Sequence, residues 1–158
     1  MTIETKAAWF LDSETELTAF LTAWEACTLP KAEWTHAAHV TAAACYTFTR
    51  TPAEALPLLR QRIRNFNEAT GGQNTEDAGY HETLTQFWAE VVGSFVAARR
   101  SDTRLDAVRA AVERFGFSRD LPKTYYTHDI VRDRVARREW VAPERQAEFA
   151  AFLVSLAS

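Results

Sequence analysis

No stretch of this chain alternates apolar and polar residues over a useful length, so strands are not predicted. No repeat recurs at a fixed period, and no segment is of low complexity. No apolar run reaches the roughly eighteen residues that would cross a bilayer, so no membrane partner is expected. Met1 to Lys6 lacks a basic stretch followed by an apolar one, so no secretory leader is expected and a cytoplasmic location is the default. The formal net charge is only -3. A partner rich in phosphate calls for a basic surface, and none shows in bulk, so nucleic acid is not expected. There are only two cysteines, Cys27 and Cys45. Both lie in apolar helical patterns, and they read as reduced, buried and inert rather than bridged.

The 158 residues hold 47% hydrophobic and 25% charged side chains. That suits one globular domain spanning residues 1–158, with a core of its own. Start and stop signals divide it into about seven helices, which short loops would pack as an all-α bundle. Ser13 and Glu16 make a capping box ahead of Leu17, Phe20, Leu21 and Trp24. Thr35 caps a second helix over about 36–48, crowded with alanine and apolar almost all round. Thr51-Pro52 opens a third, with Ala55, Leu56, Leu59, Ile63 and Phe66 inward and Arg60, Arg62 and Arg64 solvated; Gly71-Gly72 ends it. A polar loop over 72–79 leads to a fourth helix over about 80–99, where His81, Leu84, Trp88, Val92 and Phe95 share a face. Ser101-Asp102 caps a fifth that stops at Gly116, Leu121-Pro122 links, and a charged sixth carries Arg132, Arg134, Arg137 and Arg138. Those arginines read as a solvated face interleaved with Asp129, Asp133 and Glu139. Pro143 starts the last helix, with Phe149, Phe152, Leu153 and Leu156 inward.

Three of the four histidines fall in two short stretches, Glu33-Trp34-Thr35-His36-Ala37-Ala38-His39 and Gly79-Tyr80-His81-Glu82-Thr83. Side chains three apart share a helix face, so His36 and His39 point the same way. If the fourth helix brings His81 to them, three imidazoles meet with a carboxylate near. That donor set suits a divalent transition metal such as zinc, nickel, manganese or iron. Three protein ligands with one open position would activate a water, with Glu82 or Glu33 as the base. The bland reading is that the histidines cap helices or bond to buried carboxylates such as Glu33 and Glu82. Trp34 and Tyr80 flank the histidines and are expected as pocket walls. His128 reads as a surface or capping residue.

The run Trp34-Thr35-His36-x-x-His39, followed by Tyr80-His81-Glu82-Thr83-Leu84-Thr85, resembles uncharacterised bacterial all-helical proteins. Their motifs read Thr-His-x-x-His and Tyr-His-Glu-Thr-Ile-Thr, and Leu84 stands here for the Ile. The resemblance brings no activity with it. A looser architectural likeness is to DinB-like bundles, which hold a metal with three histidines at another spacing.

Two functions follow as expectations. One is a metal-dependent enzyme performing hydrolysis or group transfer on a small molecule at His36, His39 and His81 with Glu82. The other is a non-catalytic small-ligand-binding or interaction domain in which the histidines are structural links. A small molecule is the expected partner in the first case, and a homo-oligomer fits either.

Overall fold

The computed structural model describes residues 11–158, so the leader reading of Met1 to Lys6 lies outside it. Among the described residues there are seven α-helices and no strand. They are α1 (Glu14–Glu25), α2 (His36–Phe48), α3 (Pro52–Ala69), α4 (Glu82–Ala97), α5 (Arg104–Phe115), α6 (Arg134–Arg138) and α7 (Gln146–Leu156). Short 3-10 turns occupy Lys31–Glu33, Leu121–Thr124 and Ile130–Arg132. No described helix is long and apolar enough to cross a membrane.

Helix α2 is the central element. It packs chiefly on α4 and α5, while α4 also touches α3, α6 and α7. Its alanines explain the position: Ala37, Ala38, Ala42, Ala43 and Ala44 are all buried, and short side chains let neighbouring backbones close in. Gly93 does the same on α4. A Cβ there would sit 2.8 Å from Pro52 Cγ and 3.3 Å from Thr47 Cγ2, so the start of α3 and the end of α2 lie against bare backbone. The remaining core is aliphatic and aromatic, from Leu17 and Trp24 on α1 to Phe149 and Leu156 on α7.

The helix ends follow the sequence with five shifts. The Thr51 and Glu54 capping box is complete. At α1, Ser13 accepts from the Glu16 N–H, but Glu16 reaches back to the Asp12 N–H at 2.8 Å, one residue before the box position. Helix α4 begins at Glu82, and His81 stands outside it as N-cap. Thr103, not Ser101-Asp102, caps α5. The charged sixth helix shrinks to five residues behind a 3-10 turn, and α7 starts at Gln146 rather than Pro143.

Two expectations about charge are corrected. Arg60 and Arg62 are not simply solvated. Arg60 forks onto Glu82, and Arg62 donates to the Glu25 carbonyl at 3.3 Å. In the sixth helix, Arg134 grips Asp77 at 2.8 and 3.1 Å, and Arg137 donates to the Gly79 and Val131 carbonyls. These bonds fasten the 72–79 loop to α6. That loop closes on Gly79, whose φ of +83 and 2.2 Å Cβ approach to the Gln73 carbonyl leave no room for a side chain.

Both cysteines are free, as read from the sequence, but Cys27 is half-buried in the turn after α1 rather than buried in a helix. Cys45 is buried, and burial pushes its thiol up to about 12, which makes it a poor nucleophile.

Candidate functional site

An open cleft of about 1320 Å³ runs between the first turns of α2 and α4. Its floor is Ala42, Ala43, Leu59 and Ile63, from α2 and α3. Trp34 and Tyr80, expected as walls, line it, and so do Leu84 and Trp88. The loop after α5 and the 130–137 stretch form the far lip. His36, His39 and His81 all reach this cleft. The two sequence stretches therefore do converge, because each sits at the start of a helix and those starts lie side by side.

The hydrogen bonds say what each imidazole is doing. A backbone carbonyl can only accept, so the ring nitrogen facing one carries the proton. His36 donates through Nε2–H to the Phe115 carbonyl at 3.0 Å, and its ring meets Trp88 edge-on at 4.7 Å. His39 donates through Nδ1–H to the Thr35 carbonyl at 2.7 Å. Trp34 lies over the His39 ring at 3.9 Å and stacks in turn on Trp24 at 4.8 Å. His81 donates through Nε2–H to the Ile130 carbonyl at 2.9 Å, while its Nδ1 accepts from the Leu84 N–H at 3.2 Å.

Burial lowers the pKa of all three. For His36 the carbonyl bond opposes this, and the Arg119 charge adds to it. His39 is pushed down to about 4, by burial first and then by His36 and Arg119, against the Thr35 bond. His81 is lowered by burial, with its bond to Ile130 opposing. All three are neutral at physiological pH.

The proposed metal ligation does not fit this geometry. A metal takes an imidazole lone pair, and His81 has spent its own on the Leu84 N–H while its other nitrogen holds the proton. Among the described residues no group of three or more His, Cys, Asp or Glu side chains is placed to hold a metal ion. The expected zinc, nickel, manganese or iron therefore has two imidazole lone pairs to meet, on His36 Nδ1 and His39 Nε2, and no third ligand.

Neither proposed base joins the histidines. Glu33 is exposed in the 3-10 turn and does not line the cleft. Glu82 turns away towards α3, taking a fork from Arg60 at 2.8 and 2.7 Å and a bond from the Tyr80 hydroxyl at 2.7 Å. Burial would raise its carboxyl, but these bonds outweigh burial and hold it below its usual value. The Glu82 side chain is 12% exposed against 42% for Arg60. Replacing Glu82 with alanine leaves the buried Tyr80 hydroxyl without its acceptor, and costs about 2 kcal/mol of stability. Arg60→Ala removes a half-solvated partner and costs under about 1 kcal/mol. Urea unfolding of the two variants checks the order.

His128 lies apart from the cleft. It bridges Asp133 and Glu144 on the surface at 2.8 Å each, and its bond to Asp133, then Glu144, raises its pKa.

Sequence reading missed the cationic side of the cleft. Arg119 and Lys123 follow the Gly116 stop in a stretch read only as a linker, and Arg137 was assigned to a solvated face. The cue was available in Ser118-Arg119-Asp120-Leu121-Pro122-Lys123, where two cations sit in a proline turn beside a helix end. No family model matches the chain, and no curated protein or solved structure was found to match it.

Proposed function

We propose that this protein is a small-molecule-binding domain, with the cleft at the starts of α2 and α4 as its binding site and the histidines as fixed polar groups within it. The observation that carries the reading is the commitment of the imidazoles. His81 is consumed as a helix cap and a tie to Ile130. His36 and His39 each anchor one nitrogen to a carbonyl and keep the other as a neutral acceptor on an apolar wall. A few fixed polar groups on a largely apolar concave surface are what orient a small ligand. The cleft is larger than the roughly 300–1,000 Å³ usual for such sites, so a bound molecule leaves room for water.

Binding is favoured over acid–base catalysis by the basicity of the best-placed nitrogen. A general base works best with a pKa near the working pH. His39 is held at about 4, some units too low, and Glu82 is locked in its ion pair. A neutral acceptor suits recognition of a ligand hydroxyl or N–H instead.

The test is a protein-observed NMR titration with planar aromatic molecules carrying a hydroxyl, on the wild-type chain and on Leu84→Trp. The larger ring fills the cleft from a half-buried wall position on α4. Binding that shifts the Trp34 and Trp88 indole resonances, and that weakens at least tenfold (about 1.4 kcal/mol) in Leu84→Trp, is the expected result. Equal binding to both proteins would place the ligand elsewhere and end the reading.

A further inference from the structure

We infer that the cleft takes an anion: its ligand carries a carboxylate or comparable acidic group, seated at Arg119 on the lip formed by the 116–123 loop. This rests on the small-molecule reading above and adds the chemical class. Among the described residues, four charged side chains other than histidine line the cleft: Arg119, Lys123 and Arg137, against Asp120 alone. The chain as a whole is acidic, at -3, so this cationic surplus runs against the protein's own balance.

The three cations are not equivalent. Arg137 spends its guanidinium on the Gly79 and Val131 carbonyls at 2.9 and 3.1 Å, and on Tyr80 more weakly, so it holds the wall together. Lys123 pairs with Asp120 at 3.2 Å, with both side chains well exposed. Arg119 is exposed and has no hydrogen bond or ion pair among the described residues. Arg137 thus has donors engaged on the protein, whereas the Arg119 fork is intact. Its charge helps to lower the pKa of both His36 and His39, and all three side chains line the same cleft.

A guanidinium offers paired N–H donors that match the two oxygens of a carboxylate. The acceptor nitrogens of His36 and His39 share the cleft with it, and the Trp88 and Trp34 rings lie against those two imidazoles. The complementary molecule is therefore a flat apolar body with an acidic group at one end and a hydrogen-bond donor within reach of the imidazoles. The neutral state of the two histidines matters here. Protonated, they would offer donors and lose their power to accept.

The experiment compares a hydroxynaphthoate with the matching uncharged hydroxynaphthamide by calorimetric titration at neutral pH and low salt. Wild type, Arg119→Gln and Lys123→Gln are titrated with each. The expected result is that the carboxylate binds wild type about tenfold more tightly than the amide. Arg119→Gln abolishes that preference, weakening the carboxylate far more than the amide, while Lys123→Gln reduces the preference only in part. Because Arg119 is exposed and partnerless, its replacement leaves the fold intact, which circular dichroism verifies. If both compounds bind wild type equally and Arg119→Gln alters neither, the anion inference fails while the cleft reading stands. If neither compound binds at millimolar concentration, the cleft reading fails and takes the inference with it.

Discussion

His81→Ala lowers the free energy of unfolding by about 2 kcal/mol. Two losses add. The first is the N-cap of α4, where Nδ1 accepts from the Leu84 N–H; losing a cap costs about 1 kcal/mol. The second is the donor to the buried Ile130 carbonyl, which then keeps only the Asp133 N–H at 3.3 Å; losing one such bond costs about 1 kcal/mol. His81→Asn separates them. Asparagine is a good N-cap, so it restores the first bond. Its shorter side chain does not span to Ile130, so about 1 kcal/mol of the loss persists. Chemical denaturation of the three proteins at neutral pH reads both steps. A structural His81 gives the graded order wild type, Asn, Ala. If alanine and asparagine are equally damaging, the cap contributes nothing.

Acid weakens the fold well before the carboxylates titrate. His39 binds a proton near 6.5 in the unfolded chain but only near 4 in the folded one. Between those values the unfolded state holds more protons, so stability falls as pH falls. It is fully present above about 6.5 and is lost progressively down to about 4. At about 1.4 kcal/mol per unit, His39 alone accounts for about 3 kcal/mol. His36 and His81 are lowered too and push the same way. His128 opposes them. Its raised pKa gives a contribution present below its unfolded value and lost as pH rises through the folded one, but it is exposed and screened. Glutamine at position 39 can still donate to the Thr35 carbonyl and does not titrate. His39→Gln therefore flattens the stability curve between about 6.5 and 4, as measured by urea unfolding at stepped pH. An unchanged slope would mean that the imidazole is protonated in the folded protein.

Much of the fold was legible because it rests on local chemistry. The Thr35 and Thr51 caps, the alanine-rich α2 and the Ala55, Leu59, Ile63 and Phe66 stripe each follow from neighbours in sequence. The convergence of His36, His39 and His81 was legible too, since each opens a helix with an apolar face. Their role was not. Which nitrogen is free depends on the Phe115, Thr35 and Ile130 carbonyls, and two of these come from distant segments. Glu82 misled for the same reason. Its partner Arg60 lies on α3, 22 residues earlier, and only packing of α3 on α4 reveals the pair. On the face read as His81, Leu84, Trp88, Val92 and Phe95, the residues His81, Val92 and Phe95 are buried as expected, but Leu84 and Trp88 are half-buried on the cleft wall, and Phe87, Val91 and Val96 fill the deeper face. A helix with apolar residues over so wide an arc has two candidate inner faces, and periodicity alone does not choose between them. Arg119 stood in a loop, where sequence pattern carries least.

The commitment of His81 decides between a binding cleft and a metal centre, and long-range proton–nitrogen NMR of the imidazoles reads it directly. A capping His81 shows the proton on Nε2 and a bare, hydrogen-bonded Nδ1 at neutral pH, and equimolar zinc leaves its resonances where they were. Loss of the Nε2 proton, or a zinc-dependent shift of His81 together with His36 and His39, would show a three-histidine metal site and contradict the role assigned to it.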